Sequence, residues 1–175
     1  MKRVITILLG AGLIMMLNGC ASTGDWYHLP TLQFDEVDYH YPVHHAQVDG
    51  LDIAYLDEGQ GDQVLLLIHG LGTSAKGWIR NIPALGDRYR VIAIDLPGYG
   101  HSSKGAYPYS MAFHAAACAG LLSALGIDQA VWVGHSMGGQ IALTAALEIP
   151  ARVQALVLLS PAGFEAFTEG EADWM

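Results

Sequence analysis

Four nearly all-apolar runs of strand length recur along the chain: "QVLLLIHG", "YRVIAIDLPG", "AVWVGHS" and "VQALVLLSPAG". A continuous apolar run, rather than an alternating one, is the pattern of a strand buried on both faces. Ahead of them, "HAQVDGLDIAYLDEG" alternates, with Ala46 and Val48 before Asp49-Gly50 and Ile53 and Tyr55 after it. That pattern predicts a hairpin closed by a two-residue turn. Between the apolar runs the period changes to that of a helix. Trp78, Ile82 and Leu85 keep helical spacing in Thr73–Leu85, where Pro83 is expected to break or kink the helix or to start a second short one. "YSMAFHAAACAGLLSALG" predicts an amphipathic helix capped by Ser110, with Phe113, Ala117, Leu121 and Leu125 in register and Gly126 at its stop. "MGGQIALTAALEI" predicts another, closed by Pro150. Apolar strands alternating with helices imply an α/β architecture: a mostly parallel sheet with helices on both faces. After Val157–Leu159 the chain becomes acidic and irregular ("FEAFTEGEADWM"), so the last strands of such a sheet are expected to be missing.

Composition narrows the classes. Among 175 residues, 52% are hydrophobic and 14% charged, which excludes a disordered chain. The net charge of −9 lacks the basic footprint of a nucleic-acid binder. The N-terminus has a charged "MKR" and a short apolar "VITILLGAGLIMML", too short for a comfortable membrane span and suited to a secretory signal. It ends in "LNGC", Leu17 to Cys20, which resembles the lipobox of bacterial lipoproteins. That resemblance implies a lipidated Cys20, an anchor in the cell-envelope membrane, and, from Ala21 and Ser22, the outer membrane facing the periplasm. An ordinary signal peptide cut nearby, or an uncleaved anchor, remains open. With Cys20 acylated, Cys118 stands alone in an apolar helix and reads as a small buried hydrophobe. His40, His44 and His45 match no strong ligand spacing and read as solvated, with no metal.

The chemistry centres on Gly134-His135-Ser136-Met137-Gly138, a G-x-S-x-G between an apolar strand and a helix. A serine on so sharp a turn projects above the sheet, and glycines are needed where a Cβ would strike the adjacent strand and helix. The helix N-terminus offers unpaired N–H groups to developing negative charge, the Met137 N–H first among them. Two further motifs occur in order: "HGLGTS", His69 to Ser74, and "DLPGYGHS", Asp95 to Ser102, with Trp78 between them. Together they resemble the α/β-hydrolase fold family, in its branch of esterases, C–C hydrolases and cofactor-free haloperoxidases, over about Ala46 to Phe164. The resemblance implies that Ser136 is the nucleophile and that the N–H groups of Leu71 and Met137 form the oxyanion hole. A serine, not an aspartate, at the elbow argues against haloalkane dehalogenase and epoxide hydrolase chemistry and for an acyl-serine route. Asp95 reads as a structural turn residue, His69 and His101 as loop-organising hydrogen bonders, Asp128 as a surface or capping residue. His135 is expected to be structural, its side chain turned away from Ser136.

The family order is serine, then acid, then histidine. All eight histidines precede Ser136, and the acids after it are Glu148, Glu165, Glu169, Glu171 and Asp173. The triad acid and histidine are therefore expected to lie outside this chain. It reads as a fragment of a longer product, as a truncated inactive lipoprotein, or as a protein recruiting a base such as His101. The expected organisation is a signal peptide (1–19), a tether (20–42), the N-terminal part of a hydrolase domain (43–164) and the start of a cap segment (165–175). The expected activity is hydrolysis of a small-molecule ester or related acyl substrate without a cofactor, with C–C hydrolysis or a perhydrolase reaction as alternatives. No oligomeric state is legible.

Overall fold

The computed structural model describes residues 36–164. The expected signal peptide, Cys20, most of the expected tether and residues 165–175 lie outside the described residues. The hairpin forms as the pattern requires. β1 (His44–Val48) and β2 (Leu51–Glu58) pair antiparallel with Val48 opposite Leu51. Asp49 (φ 49°) and Gly50 (φ 80°) make the turn with both central residues at positive φ, the geometry whose twist matches the flanking strands.

β3 (Val64–Ile68), β4 (Arg90–Ile94), β5 (Ala130–His135) and β6 (Val153–Leu159) complete a six-stranded sheet in the order β1-β2-β4-β3-β5-β6. β3 pairs parallel with both β4 and β5, and β5 with β6, while β2 pairs antiparallel with β4. The chain leaves β3 to one side for β4 and then crosses to the other side for β5. The loops following β3, β4 and β5 converge at that reversal, which is where open α/β sheets bind ligands.

The apolar runs divide by strand alternation into two cores. Leu66, Ile68, Ile92, Ile94 and Trp132 face two helices, α2 (Met111–Ala124) and α3 (Met137–Glu148). Leu65, Leu67, Val91, Ala93, Val131 and Val133 face the opposite layer, with Tyr39, Ala75, Trp78 and Ile82. The Thr73–Leu85 segment takes the broken option: a 3₁₀ turn (Ala75–Trp78), then a short α1 (Ile82–Gly86) with Pro83 in its first turn. A proline there loses nothing, because its missing N–H has no intrahelical acceptor.

α2 is capped by Ser110, whose Oγ accepts from the Phe113 N–H at 3.1 Å. Its buried stripe runs through His114, Ala117, Cys118, Leu121 and Leu122: Ala117 and Leu121 are buried as expected, while Phe113 and Leu125 are only half-buried. At Gly120 the helix comes close to β1: a Cβ there would collide with the Val48 side chain.

Two expectations are corrected. β6 was expected to be an apolar, buried strand with no further strand to close the sheet beyond it; its burial is what differs. It lies at the sheet edge among the described residues, with Val157 45% and Leu159 43% exposed, because only β5 and α3 flank it. The tether was expected to run to Pro42. Residues 37–41 are instead docked on the sheet: Tyr39 is 2% exposed, and Val37 and Tyr41 pack against the same core.

Candidate active site

The elbow is built by glycines that let three backbones meet. A Cβ on Gly134 would strike the backbone of Gly138, and one on Gly138 would strike the carbonyls of Ile68 and His69. Ser136 joins β5 to α3 at φ 52°, ψ −119°, a conformation costing about 1–3 kcal/mol for a residue with a side chain. The surrounding hydrogen bonds hold it. Its N–H donates to the Leu159 carbonyl (3.1 Å), and its own carbonyl accepts from Gly139 N (2.9 Å) and Ala162 N (3.0 Å). Ser136 is partly exposed, and its Oγ makes no hydrogen bond among the described residues.

Gly70 places the preceding loop over this turn. A Cβ on it would lie 3.2 Å from both Ser136 Cβ and His135 Nδ1. Leu71, next in sequence, carries a side chain 74% exposed, and Gly72 follows at φ 70°. Met137 is the first residue of α3, where an N–H has no acceptor within its own helix. Leu71 thus follows the glycine that packs on Ser136, and Met137 opens the helix that Ser136 precedes.

Asp95 organises the loops from a fully buried position. Its Oδ1 accepts from Ala75 N (2.7 Å), and its Oδ2 from His101 N (2.7 Å) and Tyr39 OH (2.9 Å). His69 accepts from Leu96 N at Nε2 (3.1 Å), which leaves Nδ1 to donate to the Gly70 carbonyl (2.8 Å). Burial holds its pKa below the ordinary histidine value. His101 Nε2 donates to the Val37 carbonyl (3.0 Å). Asp95, His69 and His101 therefore fill the structural roles expected of them, and Asp128 lies exposed. The Lys104 ammonium donates to the carbonyls of Tyr99, Gly100 and Ser102, clamping the same turn.

His135 was expected to be structural, with its side chain turned away from Ser136. It is exposed and, with Gly70, Leu71, Trp78, Asn81 and Leu159, lines a cavity of about 530 Å³. As the last residue of β5, it lies beyond the layer that covers the rest of the strand. Two residues were missed from sequence. His114 is 1% exposed, its Nδ1 has no partner among the described residues, and burial followed by the proximity of His69 pushes its pKa down to about 4. Its place four residues before Cys118 on the buried stripe was the available signal. Tyr39 had none, since its segment has no period. Burial pushes the Cys118 thiol upward, consistent with an unreactive core cysteine. His40 and His45 pair with Asp38 (2.7 Å) and Asp52 (2.9 Å), and no metal-holding cluster occurs among the described residues.

A parallel sheet reversing at β3, with a strained serine between β5 and a helix and a glycine loop over it, defines the class of α/β enzymes with a nucleophile elbow. Residues 63–174 match the alpha/beta hydrolase fold family model, and the chain belongs to that family. It is 38% identical over 149 residues to the dihydrolipoyllysine-residue acetyltransferase component of the acetoin cleaving system of Cupriavidus necator (82% of this chain, 40% of the relative). It is 43% identical over 114 residues to a 2-hydroxy-6-oxononadienedioate/2-hydroxy-6-oxononatrienedioate hydrolase of Burkholderia vietnamiensis (62% and 40%). Among solved structures, a bacterial membrane phospholipase A superposes with a TM-score of 0.71 at 34% identity, over 97% of this chain and 55% of that one. The chain thus spans less than half the length of these curated relatives.

Proposed function

We propose that this protein is a serine hydrolase that cleaves an ester or related acyl substrate through an acyl-serine intermediate. The observation that carries the reading is the Ser136 turn itself: a side-chain-bearing residue held at positive φ by backbone hydrogen bonds on both its N–H and its carbonyl, at the start of a helix and under the Gly70 loop. Ser136 Oγ attacks the carbonyl carbon, and the leaving group departs as the acyl-serine forms. The N–H groups of Leu71 and Met137 bind the oxyanion, and water then releases the acid and restores Ser136. Preformed donors of this kind are worth ~10²–10³ in rate each. The Ser136 hydroxyl proton passes to a general base as Oγ attacks and from that base to the departing group. The likeness to a membrane phospholipase A supports an ester substrate. An acyl anchor on Cys20 would place the protein at the outer membrane facing the periplasm.

A serine-directed fluorophosphonate tests the reading on the protein as its own gene expresses it. Labelling is expected in the wild type and absent in Ser136→Ala; equal labelling of both overturns the assignment. The Burkholderia relative favours a second reading, C–C bond hydrolysis on the same serine. A panel of p-nitrophenyl esters and vinylogous diketone substrates separates the two by which class is turned over.

A further inference from the structure

The segment before the sheet does more than lead into it. Residues 37–41 cross the loops after β3 and β4 and are tied to both. Tyr39 is buried, its hydroxyl donates to Asp95 Oδ2 (2.9 Å), and its ring meets the His101 ring edge-on at 4.7 Å. The Val37 carbonyl accepts from His101 Nε2 (3.0 Å). The same Asp95 carboxylate takes the Ala75 N–H on its other oxygen (2.7 Å). Ala75 directly follows Ser74, the last residue of the loop that carries Gly70 and Leu71. A continuous chain of contacts therefore runs from Tyr39 through one carboxylate to the end of the loop bearing the Leu71 N–H. Val37 and Tyr39 also form one wall of a cavity of about 330 Å³ whose other walls are Gly72, Thr73 and Ser74 of that loop and Gly98, Tyr99 and Gly100 of the turn after β4.

We propose that residues 37–41 are a strap that sets the conformation of the Leu71 loop, and that Tyr39 is a positioning residue acting through Asp95. The physical argument is one of geometry. His69 Nδ1 holds the Gly70 carbonyl (2.8 Å), but Leu71 beyond it is exposed and Gly72 sits at positive φ, and an oxyanion donor must be held to a fraction of an ångström. Asp95 supplies the fixing, and a buried carboxylate holds its direction only while its acceptor positions are filled. Tyr39 fills one of them from outside both loops. The consequence for Ser136 rests on the acyl-serine reading proposed above; the consequence for loop order does not.

Two measurements on the full-length chain test it. In Tyr39→Phe the ring remains and only the hydroxyl is lost. Loss of a hydrogen bond of this kind corresponds to roughly tenfold. Hydrogen exchange at the Ala75 and His101 amides is expected to accelerate about tenfold, while amides of β4 and β5 keep their rates, the signature of a local opening. The maximal rate of fluorophosphonate labelling at Ser136 is expected to fall by about tenfold with half-saturating probe concentration within about twofold of wild type. Tyr39→Ala, which removes the ring as well, is expected to exceed both changes. Unchanged exchange at Ala75 and His101, or acceleration spread evenly over β3, β4 and β5, overturns the strap. Should the wild type show no labelling, the reading of Ser136 falls and exchange alone decides the strap.

Discussion

At the scale of single residues, the site is defined by what glycine leaves out. Gly138 admits the Ile68 and His69 carbonyls to van der Waals distance of the elbow, and an added Cβ would overlap them. Both obstacles are backbone, so neither can move aside as a side-chain tip would. Gly138→Ala is expected to cost about 2–3 kcal/mol of stability, read as a lowered urea midpoint at unchanged m-value, and to abolish fluorophosphonate labelling. His114 gives a pH prediction. Its folded pKa of about 4 lies below the ordinary 6.5, so between those values the unfolded chain binds the extra proton. Its contribution is fully present above pH 6.5 and is lost as pH falls toward 4; it amounts to on the order of 3 kcal/mol. His69, also held low by burial, acts in the same direction. Urea unfolding from pH 7.5 to 4.5 is expected to show that decline, and a smaller one in His114→Phe.

At the scale of elements, local signals and tertiary contacts divide the work. The hairpin turn and the Ser110 cap are local, and both form where the sequence puts them. Ser110→Ala leaves the Phe113 N–H without its partner and is expected to cost about 1 kcal/mol, measured as a shift in thermal midpoint. The apolar runs announced β3, β4 and β5 with their burial, because a strand inside a parallel sheet has no exposed face to encode. The same pattern overestimated the burial of β6, although the open edge beyond it was expected. An apolar run shows that a strand is made for burial, but not what covers it in the described structure. The stripe of α2 was read correctly at Ala117 and Leu121 but not at Phe113 and Leu125, which are half-buried. Period alone cannot choose between Phe113 and His114; which of them is buried depends on what packs against the helix. Residues 37–41 were read as tether because a docked extended segment has neither helical nor strand period. Their burial comes from Tyr39 reaching Asp95, 56 residues away.

At the scale of the whole molecule, the exposed side of β6 is the main consequence. Val157 faces a groove of about 280 Å³ shared with Leu65, Leu85, Tyr89, Val131 and Val133. An apolar strand at a sheet edge is a template for association. In a chain of these 175 residues, Val157→Lys is expected to reduce aggregation, measured by light scattering at matched concentration, with little change in urea midpoint. The proposed acyl anchor makes a separate prediction: the wild type should partition with membranes and Cys20→Ala should not, with the fluorophosphonate reactivity of Ser136 unaffected.

The sequence by itself determined the alternation of strands and helices, the family resemblance, and the position of the serine turn with its two flanking loops. These are legible because each rests on local chemistry: glycine where a Cβ cannot fit, serine at a strand-to-helix joint, apolar runs with no polar face. Only the tertiary structure decided that His135 opens into a cavity, that His114 is buried without a partner for Nδ1, and that Tyr39 reaches Asp95 to strap the loops together. Those facts depend on which distant surfaces meet, and contacts between segments far apart in the chain leave no period or spacing within either segment.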